Sequence, residues 1–201
     1  MANFITTFRM FLALIVVAML FFPTKNIYII ATIMTAIIIW MDGLDGYVAR
    51  KFNEASKLGA VLDILSDRVV EMVYWITFCA LGWLPVWVPL IVVVRGTITD
   101  GLRSIALEQG FTAFGSSTMM QSPVGKFIVA SNFSRFTYAV TKALAFVLMI
   151  AGNIPAEYPH KATILMTGIV CSYISVVFCV VRGVPVVIES KRFFVKKNEQ
   201  V

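Results

Sequence analysis

Four aspartates lie at helical spacing between two long apolar runs of the sequence: Asp42, Asp45, Asp63 and Asp67. The first two are three positions apart and the last two are four apart, so on helices each pair would share one face. Two such helices meeting here would direct four carboxylates into one pocket, where protons or divalent metal ions must relieve their mutual repulsion. Because these ligands are all oxygen, we expect a hard ion such as Mg²⁺, Mn²⁺ or Ca²⁺.

The residues around these acids indicate a ligand that carries phosphate groups. Gly46 follows Asp45 directly and Gly59 lies one helical turn before Asp63, so a ligand would approach the backbone closely at both glycines. Arg50 offers a guanidinium group that binds phosphate through two hydrogen bonds. Two divalent ions would balance four carboxylates, and two-metal sites promote displacement at phosphorus by binding the attacking and leaving oxygens. The sequence therefore predicts a diphosphate substrate at the membrane surface.

Salt bridges between helices are the alternative role for the same acids. Asp63 would then pair with Arg50, and Asp67 would pair with Lys57. Because this stretch has four acids and few nearby cations, we favour the metal site.

The composition is that of an all-α integral membrane protein. The chain has 201 residues, of which 59% are hydrophobic and only 14% are charged. A soluble domain of this size would not bury so much apolar side chain. With spans of about 20 residues, we predict six transmembrane helices, over the apolar runs 6–22, 27–48, 58–81, 84–107, 127–151 and 162–182.

Lysine and arginine are concentrated on one predicted side of the membrane. The loops around 43–57 and 103–126 and the C-terminal tail are basic, whereas the opposite loops carry only two lysines. By the positive-inside rule, both termini and the aspartates face the cytoplasm, which predicts a cytoplasm-facing active site. We read the net charge of +6 as a signal for membrane orientation and expect no nucleic-acid partner. We predict a membrane domain over residues 1–188 and a basic cytoplasmic tail over 189–201.

Around the aspartates, the sequence resembles the CDP-alcohol phosphotransferase family. The signature of that family places two acids, a glycine, an alanine and an arginine in one block, and a glycine and two acids in the next. Each specified residue is present at the family's spacing: Asp42, Asp45, Gly46, Ala49, Arg50, Gly59, Asp63 and Asp67. Eight specified residues at fixed spacing make this a specific signal.

The resemblance implies a role for each of these residues. Asp42, Asp45 and Asp63 would hold two Mg²⁺ or Mn²⁺ ions over the CDP diphosphate. Asp67 would complete the metal site and act as the general base on the acceptor hydroxyl. The residues in contact with CDP would be Asp42, Gly46, Ala49, Arg50 and Gly59.

Within the family, the sequence is most similar to members that use glycerol 3-phosphate as the acceptor. The likeness lies in the opening Thr6-Thr7-Phe8-Arg9, the stretch from Arg95 to Arg103, and Gly125-Lys126. Gly96 and Asp100 depart from the pattern of those members. Inositol phosphate, inositol and serine therefore stay open as alternative acceptors.

A phosphorylated acceptor agrees with the cations in the cytoplasmic half of the fourth and fifth predicted helices and in the loop between them: Arg95, Arg103, Lys126 and Arg135. Cations at that depth need an anion, which the acceptor phosphate would supply. The alternative for each residue is that its side chain extends to the lipid headgroups.

The resemblance implies an enzyme that transfers a phosphatidyl group from CDP-diacylglycerol to sn-glycerol 3-phosphate and releases CMP. It also implies a homodimer in the bacterial inner membrane. The alternative of another class is an ion-coupled membrane transporter with the acids along its ion path. Because the sequence has no visible paired half-repeats, we favour the enzyme.

Overall fold

Helices form all the regular structure in the described part of the chain. The computed structural model describes residues 2–51, 57–108, 110–111 and 119–195. In chain order, its helices are α1 (Ala2–Met19), α2 (Lys25–Lys51), α3 (Lys57–Ala80), α4 (Trp87–Glu108), α5 (Pro123–Gly125), α6 (Asn132–Gly152) and α7 (Lys161–Val195), with a turn of π-helix at Lys126–Ala130 between α5 and α6. The predicted all-α architecture is confirmed.

Within these ranges, three segments are long and apolar enough to cross a membrane: Lys25–Gly43, Pro123–Gly152 and Lys161–Lys191. The apolar part of α1, Asn3–Met19, is shorter than a typical span. Charged residues interrupt the apolar sequences of α3 and α4 and lower their mean hydropathy. The structure thus gives three candidate spans by length and composition, and the count of six stays a prediction.

One compact unit comprises Met1–Pro89 and Ala143–Ser172, and we call it unit 1. Its core is aromatic: the ring of Phe146, which is 2% exposed, stacks on the ring of Tyr74 with centroids 4.8 Å apart. The Tyr74 hydroxyl shares a hydrogen bond of 2.9 Å with the hydroxyl of Thr35 on α2, which satisfies this buried polar group. Helix α1 packs against both α2 and α3. Unit 1 therefore holds together the two helices that carry the aspartates.

Two glycines in unit 1 allow α6 and α7 to approach each other closely. A Cβ atom on Gly152 would lie 2.6 Å from the Cα of Leu165. A Cβ atom on Gly168 would lie 3.0 Å from the backbone of Leu148. Small residues of this kind let helices in a membrane pack backbone against backbone.

The second compact unit, unit 2, comprises Leu90–Lys142 and Tyr173–Val201. Buried residues from α4, from the segment before α5, from the π-helical turn and from α7 form a small apolar core: Ala106, Met119, Met120, Val129 and Val186. This core packs the π-helical turn against the parts of α4 and α7 that belong to unit 2.

Helix α7 continues through the predicted boundary between the membrane domain and the tail. Glu189 on this helix accepts hydrogen bonds of 2.5 Å from the backbone N–H of Gln121 and from the hydroxyl of Ser122. These bonds tie α7 to the segment that precedes α5. Residues 196–201 of the predicted tail lie outside the described residues.

Replacing Phe146 by alanine should destabilise unit 1, because its ring also packs edge-on against Trp75 at 4.9 Å and fills the aromatic core. We expect a loss of about 3 kcal/mol, which corresponds to a fall in Tm of roughly 6–12 °C. Thermal unfolding of the purified protein in detergent measures this change. The control is Phe22→Ala, since Phe22 is 64% exposed. Equal Tm values for the two variants would contradict the packing role of Phe146.

Candidate active site

Three of the predicted aspartates converge at one point of unit 1. Asp42 lies on α2, and Asp63 and Asp67 lie one turn apart on α3. Each offers a carboxylate oxygen, and these oxygens all lie within 4.8 Å of one another. The three side chains are about half exposed, at 51%, 51% and 50%. A ligand therefore has access to the carboxylates.

This arrangement fits a hard divalent cation. Oxygen ligands lie about 2.1 Å from Mg²⁺, so two of them on opposite sides of the ion are about 4.2 Å apart. The observed oxygens are close enough for small side-chain shifts to bring all of them to one ion. Carboxylates are also the donors that Mg²⁺ and Mn²⁺ prefer.

The remaining motif residues fall on the same two helices. Helix α2 is helical through Lys51 and so includes the motif residues that follow Asp42: Asp45, Gly46, Ala49 and Arg50. Gly59 lies in the first turn of α3, one turn before Asp63. The backbone thus has the helical spacing that both pairs of acids require. The side chains of Asp45, Arg50 and Lys57 lie outside the described residues.

Arg9 on α1 reaches the aspartate cluster and is only 2% exposed. Its Nη1 forms an ion pair with Asp42. Its Nη2 lies 2.7 Å from Asp67 Oδ1 and 3.7 Å from Asp63 Oδ1. The same Nη2 donates a hydrogen bond of 3.3 Å to the hydroxyl of Ser66. A single buried guanidinium therefore contacts acids on both α2 and α3.

The sequence reasoning missed Arg9 as a site residue. From the sequence, Arg9 was predicted to lie at the membrane interface, within the opening segment that resembles the family. The available signal was an arginine inside the apolar run 6–22, because a cation within such a run needs an acidic partner. Among the described members of the cluster, three negative charges and one positive charge leave two negative charges for a divalent ion to balance.

Arg182 on α7 is a second buried arginine, 5% exposed, and it belongs to unit 2. Its Nη1 donates to the carbonyl of Ile128 at 3.1 Å and to the hydroxyl of Ser134 at 2.7 Å. Its Nη2 donates to the carbonyl of Val129 at 3.1 Å. These oxygens are all neutral, so these hydrogen bonds fix the guanidinium without cancelling its charge.

Arg182 also lines a pocket of unit 2 with a volume of about 440 Å³. The pocket combines two guanidinium groups with aromatic and amide side chains: Asn132, Arg135, Phe136, Tyr138, Ala139 and Arg182. The Arg182 guanidinium lies over the ring of Tyr138, 5.7 Å from its centroid. A phosphate group suits such a pocket, because guanidinium groups bind it through paired hydrogen bonds.

The four residues that the sequence predicted to bind the acceptor phosphate lie in different surroundings. Arg135 lines the pocket, and Lys126 is exposed in the π-helical turn. Arg103 lies 3.7 Å from Asp100, one turn earlier on α4. The side chain of Arg95 lies across Gly183, where a Cβ atom would be 2.9 Å from Arg95 Cγ. In the sequence analysis, Arg182 was counted only among the basic residues that predict the orientation of the protein in the membrane.

A family model described as CDP-alcohol phosphatidyltransferase matches residues 1–188 of the chain. A CDP-diacylglycerol–glycerol-3-phosphate 3-phosphatidyltransferase from Pseudomonas fluorescens is 28% identical over 180 residues, which cover 80% of this chain and 91% of the relative. A protein of the same name from Haemophilus influenzae is 30% identical over 118 residues, 53% of this chain and 59% of the relative. A CDP-diacylglycerol–inositol 3-phosphatidyltransferase from Saccharomyces cerevisiae is 41% identical over 58 residues, 29% of this chain and 26% of the relative.

Replacing Asp63 by asparagine should weaken Mn²⁺ binding at least about tenfold, because it removes one charged ligand from the cluster. Asp63 is the best position for this test, since it makes the longest of the three contacts with Arg9. Electron paramagnetic resonance of free Mn²⁺ during a titration with protein measures the affinity. The control is Glu157→Gln, which removes an exposed acid from the loop before α7. Unchanged affinity in the Asp63 variant would exclude this carboxylate as a ligand.

Proposed function

The chain belongs to the CDP-alcohol phosphatidyltransferase family, as its aspartate motif predicted. From this premise we propose that it transfers the phosphatidyl group of CDP-diacylglycerol to sn-glycerol 3-phosphate and releases CMP. The observation that carries the proposal is the convergence of Asp42, Asp63 and Asp67 within 4.8 Å. The names of the relatives from Pseudomonas fluorescens and Haemophilus influenzae support the choice of acceptor. Family membership favours this enzyme over an ion-coupled transporter.

The aspartates would hold two Mg²⁺ or Mn²⁺ ions, with Asp45 added to the three that converge. When bound, such ions would coordinate the diphosphate and stabilise the negative charge on the departing CMP. The nucleotide would lie against Gly46, Ala49 and Gly59, and Arg50 would contact its phosphate. These roles follow from the family motif, and the helical backbone of α2 and α3 supports them.

Asp67 would accept the proton of the acceptor hydroxyl. Its side chain is 50% exposed, so an alcohol can reach the carboxylate. Its Oδ1 also lies 2.7 Å from Arg9, which fixes the orientation of the group. In the proposed step, the hydroxyl oxygen attacks the phosphorus of the phosphatidyl group, the bond from that phosphorus to CMP breaks, and the proton passes to Asp67.

The pocket around Arg135 and Arg182 would bind the phosphate of the acceptor. Arg182 is held by neutral oxygens, so its charge is available to an anion. Arg135 is exposed and adds a second guanidinium to the same pocket. Inositol carries no anionic group and serine carries only a carboxylate, so neither offers a phosphate to these guanidinium groups, whereas inositol phosphate does. Lys126, Arg95 and Arg103 stay as further candidates for the same role.

The enzyme would span the membrane six times with both termini and its active site on the cytoplasmic side. Helices α3 and α4 have 24 and 22 residues, so each is long enough to cross a bilayer at about 1.5 Å per residue. The concentration of lysine and arginine in the loops around 43–57 and 103–126 supports this orientation. Placement in a bacterial inner membrane and assembly as a homodimer complete the proposal.

Purified protein should release CMP from CDP-diacylglycerol when glycerol 3-phosphate and Mn²⁺ are present. Asp67→Asn should lower kcat by about 10²–10⁴-fold, because the general base is lost. The measurement is CMP release with glycerol 3-phosphate, inositol phosphate, inositol and serine in parallel, and Glu157→Gln is the matched control. Faster turnover with inositol phosphate would overturn the proposed acceptor, and ion flux without CMP release would overturn the enzyme.

Arg135→Gln should raise the KM for glycerol 3-phosphate about tenfold or more, because a charge-assisted contact with the phosphate is lost. The KM for CDP-diacylglycerol should stay unchanged. Arg135 is exposed, so the substitution should be tolerated by the fold. The control is Lys191→Gln, which removes an exposed cation from α7 of the same unit. Equal changes in the KM values for glycerol 3-phosphate and CDP-diacylglycerol would show that Arg135 does not bind the acceptor phosphate.

A further inference from the structure

Arg9 contacts the same three carboxylates that could hold a metal ion. Its two terminal nitrogens contact Oδ1 of Asp42 on one helix and Oδ1 of Asp63 and Asp67 on the other. The carboxylate oxygens of the same three residues lie within 4.8 Å of one another. A guanidinium is always charged at physiological pH and therefore acts as a permanent counter-charge for the cluster.

The guanidinium also has a neutral partner beside the acids. Nη2 donates to the hydroxyl of Ser66, and that hydroxyl donates to the backbone carbonyl of Thr6 at 3.2 Å. This chain of hydrogen bonds links α3 back to α1. Because Arg9 is 2% exposed, it has little contact with water, and withdrawing it from the acids would leave a buried cation without its partners.

We propose that Arg9 is a built-in cation that balances the aspartate cluster before metal binds, and that it competes with divalent ions for the same carboxylates. This inference rests on the metal site of the proposed function. In the competition, each contact that Arg9 keeps with a carboxylate weakens the attraction of that carboxylate for a metal ion. Arg9 thereby lowers the affinity of the site for its ions, while it keeps the metal-free protein stable.

The test is the variant Arg9→Gln, measured for both Mn²⁺ affinity and thermal stability. Without the positive charge, Mn²⁺ should bind at least about tenfold more tightly, because three carboxylates attract the ion with no competing cation. The metal-free variant should have a lower Tm than the wild type, since the acids repel one another. Added Mn²⁺ should therefore raise the Tm of the variant more than that of the wild type.

The sign of the affinity change separates this role from a merely structural one. If Arg9 only held the acids in place, its loss would scatter them and weaken Mn²⁺ binding. Equal or weaker binding by Arg9→Gln would therefore overturn the inference. The matched control is Lys25→Gln, which removes an exposed cation at the start of α2 in the same unit. This control should leave both measurements unchanged.

A second variant keeps the test decisive if Arg9→Gln does not fold. Arg9→Lys retains the charge but replaces a planar fork by a single ammonium, which cannot contact acids on both helices in the same way. The Arg9→Lys variant should bind Mn²⁺ a few times more tightly than the wild type. Equal or weaker binding by this variant would overturn the inference. Failure of the wild type itself to bind Mn²⁺ would instead remove the metal site of the proposed function.

Discussion

Repulsion among carboxylates is the constraint on which unit 1 depends. Asp42 comes from α2, and Asp63 and Asp67 come from α3, so repulsion opposes the meeting of the two helices unless a positive charge or protonation offsets it. Arg9 supplies that charge from α1. This explains why a short apolar helix packs against both α2 and α3. The side chains of Ser66 and Thr35 then satisfy neighbouring polar groups, so that the polar groups and the aromatic core support the same arrangement.

Unit 2 uses a buried arginine in a different way. The turn of π-helix at Lys126–Ala130 interrupts the usual hydrogen-bond pattern of the backbone and presents carbonyl oxygens to side chains. Arg182 donates to two of these carbonyls, on Ile128 and Val129. Arg9 is balanced by three acids, whereas Arg182 is oriented by neutral oxygens. The first arginine is therefore paired with acids of the protein, whereas the second would offer its charge to the phosphate of the proposed acceptor.

Helix spacing predicted that Asp63 and Asp67 share one face of α3, because residues four apart lie on one face of a helix. It was not sufficient to predict Arg9 or Arg182. Each is a single arginine in or at the end of an apolar run, where a lipid headgroup explains it as well as a buried partner does. The partners of Arg9 lie more than 30 positions away in the sequence, so only the packing of α1 selects them. The number of spans was also difficult to predict from hydropathy, since the charges of the proposed site lower the mean hydropathy of α3 and α4.

The proposed reaction explains why the chain contains both kinds of arginine. It joins a diphosphate to a phosphorylated alcohol, and two anions of this kind repel each other. An acidic cluster that collects divalent ions offers positive charge to the diphosphate only when the ions are present. In the proposed function, a fixed guanidinium such as Arg182 would offer positive charge to the second phosphate at all times. If Arg9 were replaced by a neutral residue, the acidic cluster would bind its ions more tightly. In the absence of these ions, its negative charges would no longer be balanced. In the proposed role, Arg9 therefore stabilises the metal-free protein and lowers the affinity of the acidic cluster for its ions.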